Sequence, residues 1–172
     1  MNALAARIVQ KALLRGTFTL RSGAVSNVYF DKYRFEAEPA LLAEITREIA
    51  KTLPPGHDML AGLEMGGIPV ATMLAQHTGL PALFVRKKAK DYGTCKLAEG
   101  GDIAGKKLLV VEDVVTSGGQ ILLSVAELRA LGAVVTDVVC VIDRESGGVD
   151  NLAKEGLTLH SLFTMSELMK HA

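Results

Sequence analysis

The chain carries 172 residues, 49% of them hydrophobic, with 19 acidic and 19 basic side chains and hence no formal net charge. That length fits one domain with a substantial core, and the charge balance gives no reason to expect a nucleic-acid or membrane partner. Cys95 and Cys140 form no metal-ligand cluster, Arg7 and Lys11 interrupt the apolar N-terminus, and no run reaches membrane-spanning length, so a soluble cytoplasmic protein is expected.

Residues 3–15 place Leu4, Ile8 and Ala12 on one face, which predicts an amphipathic helix with Gly16 as its stop. Residues 17–20 and 28–30 are β-prone runs joined by a polar connection, a hairpin able to cover a larger sheet. Pro39 and the Pro54-Pro55-Gly56 run bracket a helix with Leu42, Ile45 and Ile49 on one face. Residues 59–63 then read as a buried strand, followed by Glu64-Met65-Gly66-Gly67 and a helix carrying Val70, Met73, Leu74 and His77 up to Gly79. The glycine pair either presents backbone N–H groups to an anion or is only a tight turn. A third strand over 80–85 leads into Arg86-Lys87-Lys88-Ala89-Lys90, which opens a polar stretch lasting to Lys107. A connection of that length suggests a lid, and its cations are either a solvated face or a partner for phosphate.

Residues 108–129 form the central unit. Leu108 to Val111 read as a buried strand closed by Glu112 and Asp113; Thr116-Ser117-Gly118-Gly119 makes a turn, and Ile121, Val125 and Leu128 mark the inner face of a helix. Unpaired N–H groups at such a helix start, with the helix dipole behind them, can hold a phosphate. Glu112 and Asp113 could accept hydrogen bonds from two vicinal sugar hydroxyls, or be merely solvated; the adjoining turn and helix favour the sugar, and together the two features describe a ribose 5-phosphate. Residues 134–142 form another apolar strand ending at Asp143-Arg144, 157–162 a last one, and Thr164 to Glu167 a capping box for a terminal helix. The order of elements predicts an α/β fold with an open, mainly parallel sheet flanked by helices.

Residues 110–119 resemble the phosphoribosyl-pyrophosphate (PRPP) motif of the type I phosphoribosyltransferases: apolar residues, two acids, two apolar residues, then Thr/Ser-x-Gly-Gly/Thr. Three further segments within 18–148 resemble the orotate phosphoribosyltransferases in particular. They are Leu20-Arg21-Ser22-Gly23 with Ser26, Tyr29 and Phe30; Arg86-Lys87-Lys88-Ala89-Lys90-Asp91-Tyr92-Gly93; and Ile142-Asp143-Arg144. The resemblance implies transfer of ribose 5-phosphate from PRPP to N1 of orotate, giving orotidine 5′-phosphate in pyrimidine biosynthesis. It also implies one domain over 1–172, with 1–35 forming a hood and 86–107 a mobile catalytic loop. Magnesium would arrive on PRPP, with no direct protein ligand, and loop residues would be shared across a homodimer.

Residue by residue, the resemblance implies catalytic roles for Lys87, Lys90 and Asp113. PRPP would meet Arg86, Lys87, Lys90, Tyr92, Glu112, Asp113, Val114, Val115, Thr116, Ser117, Gly118, Gly119 and Gln120, and orotate would meet Arg21, Tyr29, Phe30, Thr116 and Arg144. Arg144 also makes independent sense, because a guanidinium pairs bidentately with the carboxylate that distinguishes orotate from uracil. Three positions depart from the pattern. Tyr92 stands where many members have histidine, Gly66 where some have lysine, and Arg21 where lysine is commoner; Cys95 reads as an inert surface thiol. Rival readings are a purine phosphoribosyltransferase and a PRPP-sensing regulator without activity. Arg144 and the Arg21 segment argue against the first, and the lack of a basic excess or helix-turn-helix extension against the second.

Overall fold

The computed structural model describes residues 3–19, 23–88 and 97–172. Helix α1 (Ala3–Ala12) buries Leu4, Ala5, Ile8, Val9 and Ala12. It is shorter than its apolar pattern predicts, because Leu13, Leu14 and Arg15 open strand β1 (Leu13–Thr19) and pair with Phe30, Tyr29 and Val28 of the antiparallel strand β2 (Val25–Phe30). A cross-strand partner distant in sequence outweighs local helix propensity there. Gly16, expected to stop the helix, lies instead within the register shift between Arg15 and Phe18.

The short helix α2 (Tyr33–Glu36) leads into α3 (Pro39–Ala50), whose first residue is the proline expected there. Strand β3 (Met59–Leu63) is buried along its whole length and turns through Gly66 into α4 (Gly67–Thr78), which ends on Gly79 in the left-handed conformation. After β4 (Ala82–Val85) the expected featureless connection is overturned for its second half. Leu97, Ala98 and Ile103 are buried, and β5 (Ala98–Glu99) adds antiparallel to β4. Residues 89–96, Lys90, Tyr92 and Cys95 among them, lie outside the described residues, as does Arg21.

Strand β6 (Lys107–Val115) runs through Glu112 and Asp113 rather than stopping at them, because Glu112, Val114 and Val115 stay in register with Cys140, Ile142 and Asp143. It is followed by α5 (Gly119–Ala130), β7 (Val134–Asp143), α6 (Gly148–Lys154), β8 (Thr158–Thr164) and α7 (Met165–Met169). Thr164 and Glu167 make both halves of the expected capping box. Helices α2 and α6 carry too few buried apolar residues to show a 3.6-residue period, so the sequence did not announce them.

The six-stranded sheet has the order β5-β4-β3-β6-β7-β8, parallel apart from β5, and β1 and β2 form a separate hairpin. One core lies between one face of the sheet and α1, α3, α4 and α7; the other lies beneath α5 and α6 and includes Cys140 at the centre of β7. Both faces of the central strands are therefore covered, as a parallel sheet requires. Among the described residues no helix is long and apolar enough to cross a membrane.

Two glycines let α4 lie against the sheet. A Cβ on Gly62 would sit 2.8 Å from Ala71 Cβ, and one on Gly67 would sit 2.2 Å from the carbonyl oxygen of Val111. Ala71 cannot yield without moving α4, nor the Val111 carbonyl without moving a central strand. Gly67→Ala is expected to cost about 2–4 kcal/mol in chemical denaturation, against about 1 kcal/mol for Gly156→Ala, where φ is +70° but no atom is crowded. Comparable losses for the two variants would show that the close approach at Gly67 is not what matters.

Candidate active site

The carboxyl ends of β3, β6 and β7 lie along one edge of the sheet, and the polar residues gather there. Register pairs Val115 with Asp143, so Thr116 and Arg144, one residue further on, emerge side by side. The Arg144 N–H donates to the Val115 carbonyl at 2.8 Å, which fixes the base of its exposed side chain. Two cavities open at this edge. The first, of about 510 Å³, is enclosed by the hairpin residues Ser26, Val28, Tyr29 and Phe30, by Thr116 and Arg144, and by Met165 and Met169 of α7. Four of the five residues expected to meet orotate thus surround one space; the fifth, Arg21, is outside the described residues. The two methionines carried no local signal, since only the chain's return through β8 brings α7 beneath the hairpin.

The second cavity, of about 430 Å³, is walled by Glu112, Val114 and the whole turn from Val115 to Ile121, with Glu64, Met65 and Lys87 opposite. Gly118, at φ +78°, turns the chain into α5, and no side chain caps that helix, so its first N–H groups face the cavity without intrahelical partners. The turn is held from behind by α6. Asn151 Nδ2 donates to the Ser117 carbonyl at 3.1 Å, Gly118 packs on Leu152, and Gly148 lies so close to the Thr116 carbonyl that a Cβ would come within 2.5 Å. These supporting residues were invisible in the sequence. Lys87 is tied to the opposite wall, where its N–H donates to Glu64 Oε1 at 2.7 Å. Arg86 lines neither cavity; its N–H bonds to the Leu97 carbonyl.

Asp113 differs from its expected place. Its side chain is fully buried and lines neither cavity. Its Oδ1 accepts from the Val114 N–H at 2.5 Å, and its Oδ2 sits 2.6 Å from the Lys32 ammonium. Burial alone would push this carboxyl upward, but hydrogen bonds with Glu36, Glu112 and Lys32 outweigh it and hold Asp113 below the usual carboxylate range. Glu36 and Glu112 move the other way. Burial, followed by the hydrogen bond and charge of the neighbouring Asp113, pushes each well above that range and favours the protonated form. A neutral Glu112 can still accept one sugar hydroxyl and donate to another. Among the described residues no three His, Cys, Asp or Glu side chains converge as a metal cage.

A cleft at the carboxyl edge of a parallel sheet, with an anion-binding helix start, an acidic strand end and a separate aromatic-lined compartment, defines a sugar-phosphate transferase site. The sequence profile of the phosphoribosyl transferase domain matches residues 33–166, and the chain belongs to that family. It is 53% identical over 165 residues to the orotate phosphoribosyltransferase of Nocardioides sp., covering 96% of this chain and 92% of the relative. It is 47% identical to that of Methanocella arvoryzae, covering 90% and 88%. The crystal structure of Mycobacterium tuberculosis orotate phosphoribosyltransferase in complex with PRPP superposes with a TM-score of 0.83 at 30% identity, covering 96% of each chain.

The carboxyl cluster sets a pH dependence. Glu36 and Glu112 have folded values raised from 4.5 to about 9, so each takes up a proton on folding, and its contribution to stability falls as pH rises through that window. Asp113, depressed from 3.8, loses its contribution only at lower pH, and Lys32, raised from 10.5, only at higher pH. Between pH 6 and 9 the melting temperature is expected to fall, and Glu36→Gln to remove part of that slope, with a gain of about 1 kcal/mol or more by pH 8. Thermal scans at four pH values check this; parallel curves for the two proteins would contradict it.

Proposed function

We propose that this chain is an orotate phosphoribosyltransferase, which transfers ribose 5-phosphate from PRPP to N1 of orotate and releases pyrophosphate and orotidine 5′-phosphate. The observation that carries the reading is the pair of cavities sharing Lys32, Tyr33, Val114 and Thr116 as a common wall. One compartment suits a flat acidic base and the other a sugar phosphate, so the reacting carbon of the sugar falls at their boundary.

The 5-phosphate sits on the N–H groups at the start of α5, with Thr116 and Ser117 as hydroxyl donors and Glu112 on the ribose hydroxyls. Orotate enters the compartment between the hairpin and α7, where Arg144 pairs with its carboxylate and Tyr29, Phe30, Met165 and Met169 close around the ring. Breaking the bond from C1 to pyrophosphate leaves positive charge on the ribose and adds negative charge to the departing group. Lys87, Arg86 and Lys90 compensate that charge, on a substrate that brings its own magnesium. No nucleophilic side chain is needed, and the hood and loop act by excluding the water that would otherwise trap the carbon.

The same proposal includes a homodimer with loop residues contributed to the neighbouring site, and a cytoplasmic location in keeping with the buried free thiol of Cys140. Orotate consumption followed by ultraviolet absorbance, with PRPP and magnesium, is expected to proceed while adenine, hypoxanthine and uracil are left untouched; turnover of another base alone would move the acceptor assignment. Arg144→Ala is expected to lose about 2–5 kcal/mol in kcat/KM for orotate, with KM for PRPP changed only a few-fold. Equal losses on both substrates would refute its role. Mixing inactive Lys90→Ala and Arg144→Ala chains is expected to restore part of the activity in hybrid dimers, and no recovery would argue that each chain completes its own site.

A further inference from the structure

Lys32 matches no motif that the sequence reading used, yet it stands at the centre of the site. It stands immediately before α2, on the segment that joins the hairpin to the rest of the chain. Its ammonium lies 2.6 Å from Asp113 Oδ2 and 5.2 Å from the centre of the Tyr33 ring, and its side chain lines both cavities at the wall they share.

The opposite side of that carboxylate explains why a cation is wanted here. A Cβ built on Gly66 would fall 1.7 Å from the same Asp113 oxygen and 2.3 Å from the carboxyl carbon, so a side chain at position 66 would have to displace this carboxylate from its place beside Lys32. The turn from Glu64 to Gly67 therefore faces the second cavity without a cation of its own. One carboxylate oxygen separates the place where a residue-66 side chain would begin from the Lys32 ammonium. An ammonium has three donors, and contact with Asp113 occupies one of them.

Building on the reading of the site as a PRPP site, we propose that Lys32 binds the diphosphate of the donor, shared between Asp113 and the departing group, and so supplies from the hood segment the charge that the Glu64–Gly67 turn lacks. The position fits the reaction. C1 lies at the boundary of the two cavities, and a cation at that boundary meets the oxygen on which negative charge accumulates as the bond breaks. Asp113 then acts as a positioning residue, holding the ammonium at the wall from a fully buried place.

Binding measurements separate this role from a structural brace. Calorimetric titration of magnesium pyrophosphate, and separately of ribose 5-phosphate, is made on the unaltered chain and on Lys32→Met and Lys32→Arg. Lys32→Met is expected to weaken magnesium pyrophosphate by about tenfold or more and ribose 5-phosphate by less than about twofold, with Lys32→Arg recovering most of the loss. Equal weakening of both ligands, unchanged pyrophosphate affinity, or no pyrophosphate binding by the unaltered chain would overturn the proposal. Should Lys32→Met not fold, Lys32→Gln, which can still donate to Asp113, carries the same comparison. In the unaltered chain, magnesium pyrophosphate but not ribose 5-phosphate is expected to shield Lys32 from an amine-reactive label, and equal labelling would overturn the role. Failure of the underlying reading shows separately, as absence of orotate turnover in the unaltered chain.

Discussion

The contact between Lys32 and Asp113 is the constraint on which the site depends. A fully buried carboxylate on the central strand meets a half-buried ammonium on the segment leaving the hairpin, and the pair ties that segment to the sheet. A buried charge left without its partner is costly, so the contact favours keeping the segment after the hairpin against the sheet while Asp113 is ionised. Around the pair, burial and the neighbouring Asp113 shift Glu36 and Glu112 upward, which favours their neutral forms and reduces repulsion among the three carboxyls. The two cavities meet at this point because the same lysine forms part of both walls.

A second constraint is steric. Helix α4 reaches the sheet through Gly62 and Gly67, and the turn from Thr116 to Gly119 is backed by Gly148, Leu152 and Asn151 of α6. These contacts leave the backbone N–H groups at the start of α5 in a fixed position before any ligand arrives. Electrostatic preorganisation of this kind lets dipoles stabilise charge without reorganising at the moment of reaction. The left-handed Gly118 sits between the strand end and the helix start, where a β-carbon would press on Leu152.

Much of this arrangement was legible in the chain. The strand, acidic pair, small-residue turn and helix over 108–129 are contiguous, so their periodicity and their motif could be read together, and Glu112 and Thr116 to Gln120 do line one cavity. Arg144, Tyr29 and Phe30 were singled out from separate segments, and the structure brings them to the other cavity. Asp113 was legible as a site residue but not as a buried one. Its neighbour Glu112 looks the same in sequence, and only strand alternation against the packing of α2 decides which of the two faces the cavity.

The sequence by itself determined the order of the elements, the mainly parallel sheet and the small-residue turn at a helix start, because these follow from local periodicity and from the backbone chemistry of glycine beside a helix start. Tertiary structure alone decided where helix α1 gives way to β1, that α6 exists and braces the turn, that α7 closes the first cavity, and that Lys32 stands between the two cavities. The physical reason is the same for each. Pairing, packing and charge compensation between residues distant in the chain are set by which surfaces meet, and no pattern within a short window of sequence encodes that meeting.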